Sequence, residues 1–338
     1  MVELRTRRAT GLLREFDDAG VLAPADVHVA ARLGELTGET DDRVLLAVAL
    51  TVRGTRHGSV VLDLADAATT TASDADDGEL IDVDALPWPE VDAWAAACAA
   101  SPVAAPGPGG EAPVRVDGTR LWLDRYWQQE QQVADALRHR AADPPADLDP
   151  TRLEADLDEL FPAADDRDQR AATAAAAVSR VAVIGGGPGT GKTTTIARLV
   201  AVLRRQRPAL RIALAAPTGK AAARLEEAVR SAAAHVPEPD RAALGAMTAG
   251  TVHRLLGRRP GSSGRFAHDH ENHLPFDVVV VDECSMLSLT LTARLLEALG
   301  PATRLVMVGD PDQLASVEAG AVLGDIVAAG DDADLAPP

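Results

Sequence analysis

The chain has 338 residues, 46% of them hydrophobic and 25% charged, a composition that is typical of a globular protein and excludes a wholly disordered or collagen-like chain. Two cysteines are too few for a disulfide framework, and the sequence shows neither a membrane-spanning apolar run nor a secretory signal, so we expect a cytoplasmic protein that does not contact a membrane. The net charge of −18 argues at first sight against nucleic-acid binding.

Residues 1–140 are predicted to form a smaller, mainly helical domain. Apolar spacing predicts helices at 26–36, 42–52 and 126–139, short strands at 60–64 and 121–123, and Pro/Gly-rich loop structure at 101–113. The stretch 57–114 has no lysine or arginine but many acidic residues, whereas basic residues cluster in 204–230 and 254–265. This acidic stretch is either a solvated face and loop or a surface for partner subunits.

Residues 141–164 are predicted to be a linker, and residues 165–338 a second domain of the α/β class. Its expected strands lie at 181–184, 211–216, 278–281 and 304–308, and its expected helices at 193–205, 220–233 and 290–299. Continuous apolar strands that alternate with helices favour a parallel sheet with both faces covered.

The chain uses lysine at only two positions, Lys192 and Lys220, and each follows a glycine. Lysine presents a compact point charge to a phosphate, whereas arginine presents a planar fork of N–H donors, so the two are not interchangeable at a phosphate site. The two lysines therefore indicate where phosphate binding should be sought.

The segment 186–193 lies between an expected strand and an expected helix, and it fits the phosphate-binding pattern GxxxxGK[ST]. In this pattern, backbone N–H groups and the helix dipole hold phosphate, the lysine contacts the β- and γ-phosphates, and the Thr193 hydroxyl binds Mg²⁺. We therefore expect a nucleotide and Mg²⁺ as ligands. The expected nucleotide-binding residues of this segment are Gly186, Gly187, Pro188, Gly189, Thr190, Gly191, Lys192, Thr193 and Thr194.

Two carboxylates follow the valine strand at 278–281, at the strand end where open α/β sheets bind ligands. Asp282 is expected to hold Mg²⁺, and Glu283 to orient or deprotonate the attacking water. An acidic pair that caps a helix is the alternative. After the next strand, Gln313 could contact the γ-phosphate, although a simple Asx-capped turn explains the same residues.

Taken together, these segments resemble the motifs of superfamily 1 helicases that move 5′ to 3′, and within them the RecD family, the alpha subunits of exodeoxyribonuclease V. The matching segments are GGPGTGKTTT (186–195), PTGKAA (217–222), TVHRLL (251–256), VVVVDECSM (278–286) and GDPDQLASVEAGAVLGDI (309–326). LTGETDDRVLLAVAL (36–50) and RLWLDRYWQQEQQVADAL (120–137) are similar to the RecD N-terminal domain.

The resemblance implies an ATP-dependent DNA helicase subunit in double-strand break repair by recombination, with single-stranded DNA and RecB- and RecC-type subunits as partners. It implies that Gln169 reads adenine. It also places DNA contacts on Pro217, Thr218, Gly219, Lys220, Thr251 and His253. For Lys220, an ordinary helix-start lysine remains the alternative.

Superfamily 1 motors cleave ATP between two RecA-like domains, and we expect the second of these to be absent from this chain. The motor would then be incomplete, and the chain could be a non-motor docking module. Another superfamily 1 enzyme, such as a relaxase-helicase or a stand-alone RecD-like helicase, is a further alternative.

Two other groups of residues are expected to have structural roles. His268, Asp269, His270 and His273 have metal-ligand spacing but lie in an expected loop. Trp122, Tyr126 and Trp127 could stack on bases, but packing within their domain is the simpler interpretation. Cys284 is interpreted as a small apolar residue.

Overall fold

The computed structural model of the chain describes residues 9–71, 83–107, 109–146, 148–234, 236–238, 240–257, 266–313 and 319–331. Within it the chain separates into an N-terminal unit, of residues 1–131 with 317–320, and a C-terminal unit, of residues 132–316 with 321–338. The division therefore falls between Gln131 and Gln132 rather than after residue 140. Residues 72–82 of the acidic stretch, residues 314–318 of the last motif and residues 332–338 lie outside the described residues.

The N-terminal unit combines helices with a small sheet. Its helices are Gly11–Asp18 (α1), Pro24–Thr37 (α2), Asp42–Arg56 (α3), Ala67–Thr70 (α4) and Val91–Ala100 (α5), and Asp124–Ala141 (α6) begins in it. Its strands are Val61–Asp63 (β1), Ala104–Pro106 (β2), Val114–Asp117 (β3) and Arg120–Leu123 (β4). The described strands pair in the order β1-β4-β3-β2, and only the β2–β3 pair is parallel.

The sheet of the N-terminal unit is larger than the sequence indicated. Helices α2, α3 and α6 and strands β1 and β4 confirm the predictions. The expectation of loop structure throughout 101–113 is wrong, because β2 lies within it and pairs with β3. Strand β2 has the sequence Ala104-Ala105-Pro106, which shows no alternation of apolar and polar residues, so its pairing with β3 rather than its own sequence defines it.

Aromatic side chains fill the core of the N-terminal unit against α3. Trp94 is almost fully buried and its indole N–H donates to the Arg43 carbonyl oxygen at 2.7 Å. Phe16 and Trp88 pack edge to face at 4.6 Å, and Trp122 and Trp127 do so at 4.8 Å. Because Trp122 is buried, the structure favours packing over base stacking for this residue.

The C-terminal unit is built around a parallel sheet. Its helices are Pro150–Leu160 (α7), Arg167–Val178 (α8), Lys192–Gln206 (α9), Gly219–Ala233 (α10), Asp240–Gly245 (α11), Val252–Leu256 (α12), Leu289–Ala298 (α13) and Val322–Asp331 (α14). Its strands are Val181–Gly185 (β5), Ile212–Ala216 (β6), Ala249–Thr251 (β7), Val278–Val281 (β8) and Arg304–Gly309 (β9). The order of the described strands is β5-β9-β8-β6-β7, and every pair is parallel.

The predicted α/β class of this unit is confirmed, and its apolar patterns explain the layers. All four valines of β8 and all six residues of β9 are buried, as expected for central strands covered on both faces. Helix α9 buries Ile196, Leu199, Val200 and Leu203 in the same core. Their spacing follows one face of a helix, which explains why α9 packs flat on the sheet.

The interpretation of residues 141–164 as a linker is wrong for their second half. Asp149 caps α7 by accepting the N–H groups of Thr151 and Arg152, and Leu153, Leu157 and Leu160 of α7 are buried in the core of the C-terminal unit. Proline and aspartate residues before α7 suggested a loop, but the leucines at positions i, i+4 and i+7 form one apolar helix face.

Two arginines from neighbouring helices each form ion pairs with two carboxylates of α7. Arg205 of α9 donates hydrogen bonds to Asp156 (3.1 Å) and Glu159 (3.0 Å) of α7 and to Asp240 (2.7 Å) of α11. Arg170 of α8 pairs with Glu154 and Asp158, both on the exposed face of α7. The two clusters differ in burial, because Asp156 and Asp240 are nearly buried whereas the partners of Arg170 are exposed.

Candidate nucleotide-binding site

The parallel sheet brings most of the candidate residues to one edge, because all of its strands end there. The glycine loop follows β5, the turn with Gln313 follows β9, and Asp282 and Glu283 follow β8. Pro217, Thr218, Gly219 and Lys220 follow β6, and Thr251 ends β7. The strand order therefore separates nucleotide candidates on β5, β9 and β8 from DNA candidates on β6 and β7, and β9 lies between the loop strand and the Asp282 strand.

The glycine loop turns through left-handed backbone conformations at Gly189 (φ 79°) and Gly191 (φ 83°), which side chains other than glycine rarely adopt. The Lys192 ammonium donates to the carbonyl oxygens of Gly186 at 2.5 Å and Gly187 at 2.9 Å. Thr190 closes the loop by donating its hydroxyl to Gly187 at 2.9 Å. The cation thus lies against the backbone of the loop, where a phosphate could replace these carbonyls as its partner.

A cleft of about 260 Å³ lies beside the loop, lined among others by Gln169, Gly186, Thr190 and Lys192. Gln169 reaches the loop from α8, and its side-chain N–H donates to the Thr190 carbonyl oxygen at 3.2 Å. A Cβ at position 191 would lie only 2.5 Å from the Gln169 amide nitrogen. Gln169, which lies well before the glycine loop in the sequence, is therefore part of the same cleft.

Asp282 and Glu283 are positioned by a sharp turn at the end of β8. Burial raises the pKa of the Asp282 carboxyl above its ordinary value, and the nearby Glu283 charge adds to this effect. The hydrogen bond from the Glu283 N–H and the charge of Lys192 oppose it only in part. Glu283 has a φ of 55° and is the non-glycine residue with positive φ among the described residues, a costly conformation often found at functional sites. It turns the chain directly from β8 into the short helical turn Cys284–Met286.

Two of the candidate side chains carry oxygen atoms that suit a hard cation. Thr193, the second residue of α9, offers a hydroxyl, and Asp282 offers a carboxylate with which no basic side chain in the described part of the chain forms an ion pair. A largely buried carboxylate without such a pair is a favourable cation ligand, and Mg²⁺ prefers oxygen ligands of this type. The donor set therefore fits Mg²⁺.

The end of β9 packs tightly under this turn. A Cβ at Gly309 would lie 2.6 Å from Leu323 Cδ2 and 3.2 Å from the backbone nitrogens of Cys284 and Ser285. Asp310 follows and is buried, and its carboxylate accepts the Asp312 N–H at 3.1 Å. The Asp310–Asp312 hydrogen bond makes this segment an Asx turn. Gln313 ends the turn, and its side chain is exposed.

We predict that Gly309→Ala destabilises the C-terminal unit by about 1–3 kcal/mol, because the added methyl overpacks the contact between β9 and the Glu283 turn. Chemical denaturation followed by circular dichroism measures this effect. Gly324→Ala is the matched control, since no atom lies within 4 Å of a Cβ at that helical position and the change should be neutral or stabilising. Equal stability of the two variants would contradict the prediction.

The candidate DNA-contact residues lie together on the other half of the edge. Strands β6 and β7 pair Ala216 with Thr251, so the segments after these strands are neighbours. The Thr218 hydroxyl accepts the Ala221 N–H at 3.2 Å and the Thr251 hydroxyl accepts the Arg254 N–H at 3.1 Å. Both threonines thus cap helices, whereas Lys220 and His253 are exposed.

The histidine run and Cys284 have structural surroundings. Among the described residues, no group of three or more His, Cys, Asp or Glu could hold a metal ion. His270 instead contacts Glu297, and the Asp269 carboxylate accepts the N–H groups of Glu271 and Asn272. The Cys284 thiol is buried, contacts the Val281 carbonyl oxygen at 3.1 Å and has a pKa that burial raises, as expected for a residue without a chemical role.

Comparison with known proteins shows which proteins the chain resembles. The family model described as "RecBCD enzyme subunit RecD, N-terminal domain" matches residues 18–122, and a model described as "AAA domain" matches residues 169–319. The RecBCD enzyme subunit RecD of Mycobacterium tuberculosis is 51% identical over 94% of this chain and 53% of its own length. The chain is therefore similar to RecD proteins over nearly all of its length. The RecD of Mycolicibacterium smegmatis is 52% identical over 94% of this chain and 54% of its own length.

A further relative is less similar and matches a smaller share of the chain. The ATP-dependent RecD2 DNA helicase of Deinococcus radiodurans is 36% identical over 60% of this chain and 25% of its own length. The chain spans about half the length of the curated RecD relatives that it matches. The match to the AAA-domain model implies nucleotide binding, and the RecD N-terminal match argues against a relaxase-helicase. No helix of the described residues is long and apolar enough to cross a membrane.

Proposed function

We propose that this chain is the ATP-binding part of a RecD helicase subunit of exodeoxyribonuclease V, acting on DNA in the cytoplasm during double-strand break repair by recombination. One observation carries the proposal. A phosphate-binding loop with Lys192 and an acidic pair, Asp282 and Glu283, lie at the same sheet edge with β9 between their strands. The names of its relatives support the proposal and suggest RecB- and RecC-type subunits as partners.

The triphosphate of ATP would lie on the glycine loop. Backbone N–H groups of the loop and of Thr193 and Thr194 at the α9 N-terminus would bind phosphate oxygens, with Lys192 on the β- and γ-phosphates. The exchange of the Gly186 and Gly187 carbonyls for phosphate oxygens replaces neutral partners of the ammonium by charged ones, which form stronger bonds. Gln169, beside the loop, would bind the base.

Hydrolysis would depend on the turn after β8. Thr193 and Asp282 would hold Mg²⁺, which when bound neutralises charge on the phosphates. Glu283 would orient the attacking water and accept its proton. Gln313 would contact the γ-phosphate and, at the end of β9 beside β8, would respond to the loss of that phosphate.

Single-stranded DNA would bind at the other half of the sheet edge. Pro217, Thr218, Gly219, Lys220, Thr251 and His253 are the proposed contacts there. Lys220 and His253 are exposed and can reach a DNA backbone or base, whereas Thr218 and Thr251 would act mainly by fixing the two helix starts. Strand β8, which carries Asp282 and Glu283, pairs with β6, which leads to the proposed DNA contacts. Loss of the γ-phosphate could therefore change the DNA contacts through these two strands.

The proposal is tested by ATP hydrolysis with and without single-stranded DNA, comparing this chain with its Glu283→Gln variant. We predict that Glu283→Gln retains ATP binding but lowers the rate of the ATP hydrolysis that this chain supports by about 10²–10⁴-fold, because the amide cannot accept the proton of the attacking water. Phosphate release measures the rate and calorimetry the binding. A chain that binds neither ATP nor single-stranded DNA would contradict the proposed function, and unchanged hydrolysis in the variant would remove Glu283 from it.

A further inference from the structure

The side-chain amide of Gln169 is engaged at both ends, although Gln169 belongs to the cleft. Its nitrogen donates to the Thr190 carbonyl oxygen at 3.2 Å, and its oxygen accepts from Nη1 of Arg198 at 3.4 Å. Arg198 lies on α9, the helix that follows the glycine loop. This arginine lies outside the segment 186–195 that resembles the helicase motif.

Arg198 is itself held on two further sides. Its Nη1 donates to Asp166 at 2.9 Å, and its guanidinium lies 4.6 Å from the centre of the Phe161 ring. Phe161 is buried in the core, and the Arg198 side chain is only 15% exposed. An ion pair and a cation–π contact on a rigid ring fix the guanidinium where it meets Gln169.

These contacts determine which way the Gln169 amide points. In the opposite orientation its NH₂ group would face the guanidinium of Arg198, with two donors opposed, and its oxygen would face the Thr190 carbonyl, with two acceptors opposed. Arginine carries donors only and remains charged. The observed orientation is therefore the one in which both ends of the amide have partners.

A fixed amide leaves one acceptor site on the oxygen and one N–H on the nitrogen for a ligand. Adenine offers the matching pair, a donor at N6 beside an acceptor at N7, whereas a base with an oxygen at position 6 offers two acceptors. Such a base would set its O6 against the Gln169 oxygen. A freely rotating amide would not discriminate in this way, because it could turn its NH₂ group towards O6.

We propose that Arg198 is a specificity-determining positioning residue: it locks the Gln169 amide in the orientation that accepts adenine and rejects 6-oxopurines. This proposal rests on the proposed function, in which Gln169 binds the base. Arg198 acts through Gln169 and has no contact with phosphate in the proposal. It should therefore affect the choice of base and leave the affinity for the triphosphate alone unchanged.

The test compares ATP with inosine triphosphate, which differs from ATP by the oxygen at position 6, using calorimetry on the full chain with Mg²⁺. We expect Arg198→Met to lower the ATP preference about three- to tenfold, the effect of losing one ordinary hydrogen bond, because the Arg198–Gln169 contact of 3.4 Å is long for a bond to a charged group. Inorganic tripolyphosphate should bind the variant as it binds the original chain. Arg198→Lys, which keeps one donor, should retain part of the preference.

Two further variants make the result specific. Gln169→Ala should lose the same preference, and Gln169→Ala combined with Arg198→Met should lose no more, because both act through one amide. Arg170→Met is the matched control, since it removes a cation adjacent to Gln169 whose guanidinium pairs with Glu154 and Asp158 instead. The control should keep the full ATP preference.

The outcomes separate this proposal from the proposed function. An ATP preference that persists in Arg198→Met but disappears in Gln169→Ala overturns the role of Arg198. Weaker tripolyphosphate binding by Arg198→Met, with an unchanged base preference, also overturns it, because the arginine would then act on the loop. A chain that binds ATP and inosine triphosphate equally well contradicts the proposal alone, whereas a chain that binds no nucleotide contradicts the proposed function.

Discussion

Replacing Lys192 by alanine should lower the affinity of the chain for Mg·ATP by about 10- to 150-fold, the range expected for loss of a hydrogen bond between charged groups. The lysine is held on the loop by the Gly186 and Gly187 carbonyls, so its charge is already in place when the nucleotide arrives. Its removal costs the phosphate a partner without disturbing a packed core. Titration calorimetry in Mg²⁺ measures the change.

A control separates loss of this contact from loss of one positive charge. Arg32→Ala removes a cation from α2 in the N-terminal unit, where the guanidinium is exposed and pairs with Glu35. The Arg32 variant should bind nucleotide as the original chain does, and the circular dichroism spectra of both variants should match it. If both variants lost affinity equally, the effect would come from overall charge and the assignment of Lys192 to phosphate would be wrong.

Replacing Arg205 by methionine should destabilise the C-terminal unit by about 3–5 kcal/mol, because removal of one partner of a buried ion pair leaves an uncompensated charge behind. Asp240 is buried and Asp156 nearly so, and both would lose the guanidinium. Although burial alone would lower the pKa of Arg205, its bonds with Asp240, Glu159 and Asp156 hold that pKa above its ordinary value. Denaturant unfolding followed by circular dichroism measures the loss.

Arg170→Met provides the matched comparison, because Arg170 also joins α7 to a neighbouring helix through two carboxylates. Its partners Glu154 and Asp158 are 65% and 70% exposed, and water can solvate them when the guanidinium is absent. This variant should lose no more than about 1 kcal/mol. Similar losses in the two variants would show that burial of the Arg205 cluster does not govern its contribution.

The central strands could be predicted from the sequence because each carries its own signal. The valines of β8 and the apolar run of β9 indicate buried parallel strands without reference to their neighbours. Strand β7 has the sequence Ala249-Gly250-Thr251 and carries no such signal, since its conformation follows from pairing with β6. The same reason applies to β2 and β3 in the N-terminal unit. Helix α7 has only three spaced leucines behind a proline-rich segment, so the sequence predicts a linker there.

The candidate site divides in the same way. The glycine loop and the acidic pair were predictable in position, because a local motif joined to a strand end determines which sheet edge they reach. The roles of Gln313, Lys220 and His253 stay predictions. The relation between Gln169 and Arg198 could not be predicted, since it depends on how α8 and α9 pack and on a ring contributed from the end of α7.

The placement of the aromatic residues has a consequence for optical measurements. All four tryptophans, Trp88, Trp94, Trp122 and Trp127, and the single tyrosine belong to the N-terminal unit, whereas the C-terminal unit contains phenylalanine alone. Tryptophan and tyrosine fluorescence therefore comes from the N-terminal unit and does not report on the unit that carries the nucleotide cleft. Emission would report the N-terminal unit alone and circular dichroism both units, so a divergence of the two curves in one denaturant titration would reveal separate unfolding of the C-terminal unit without a label.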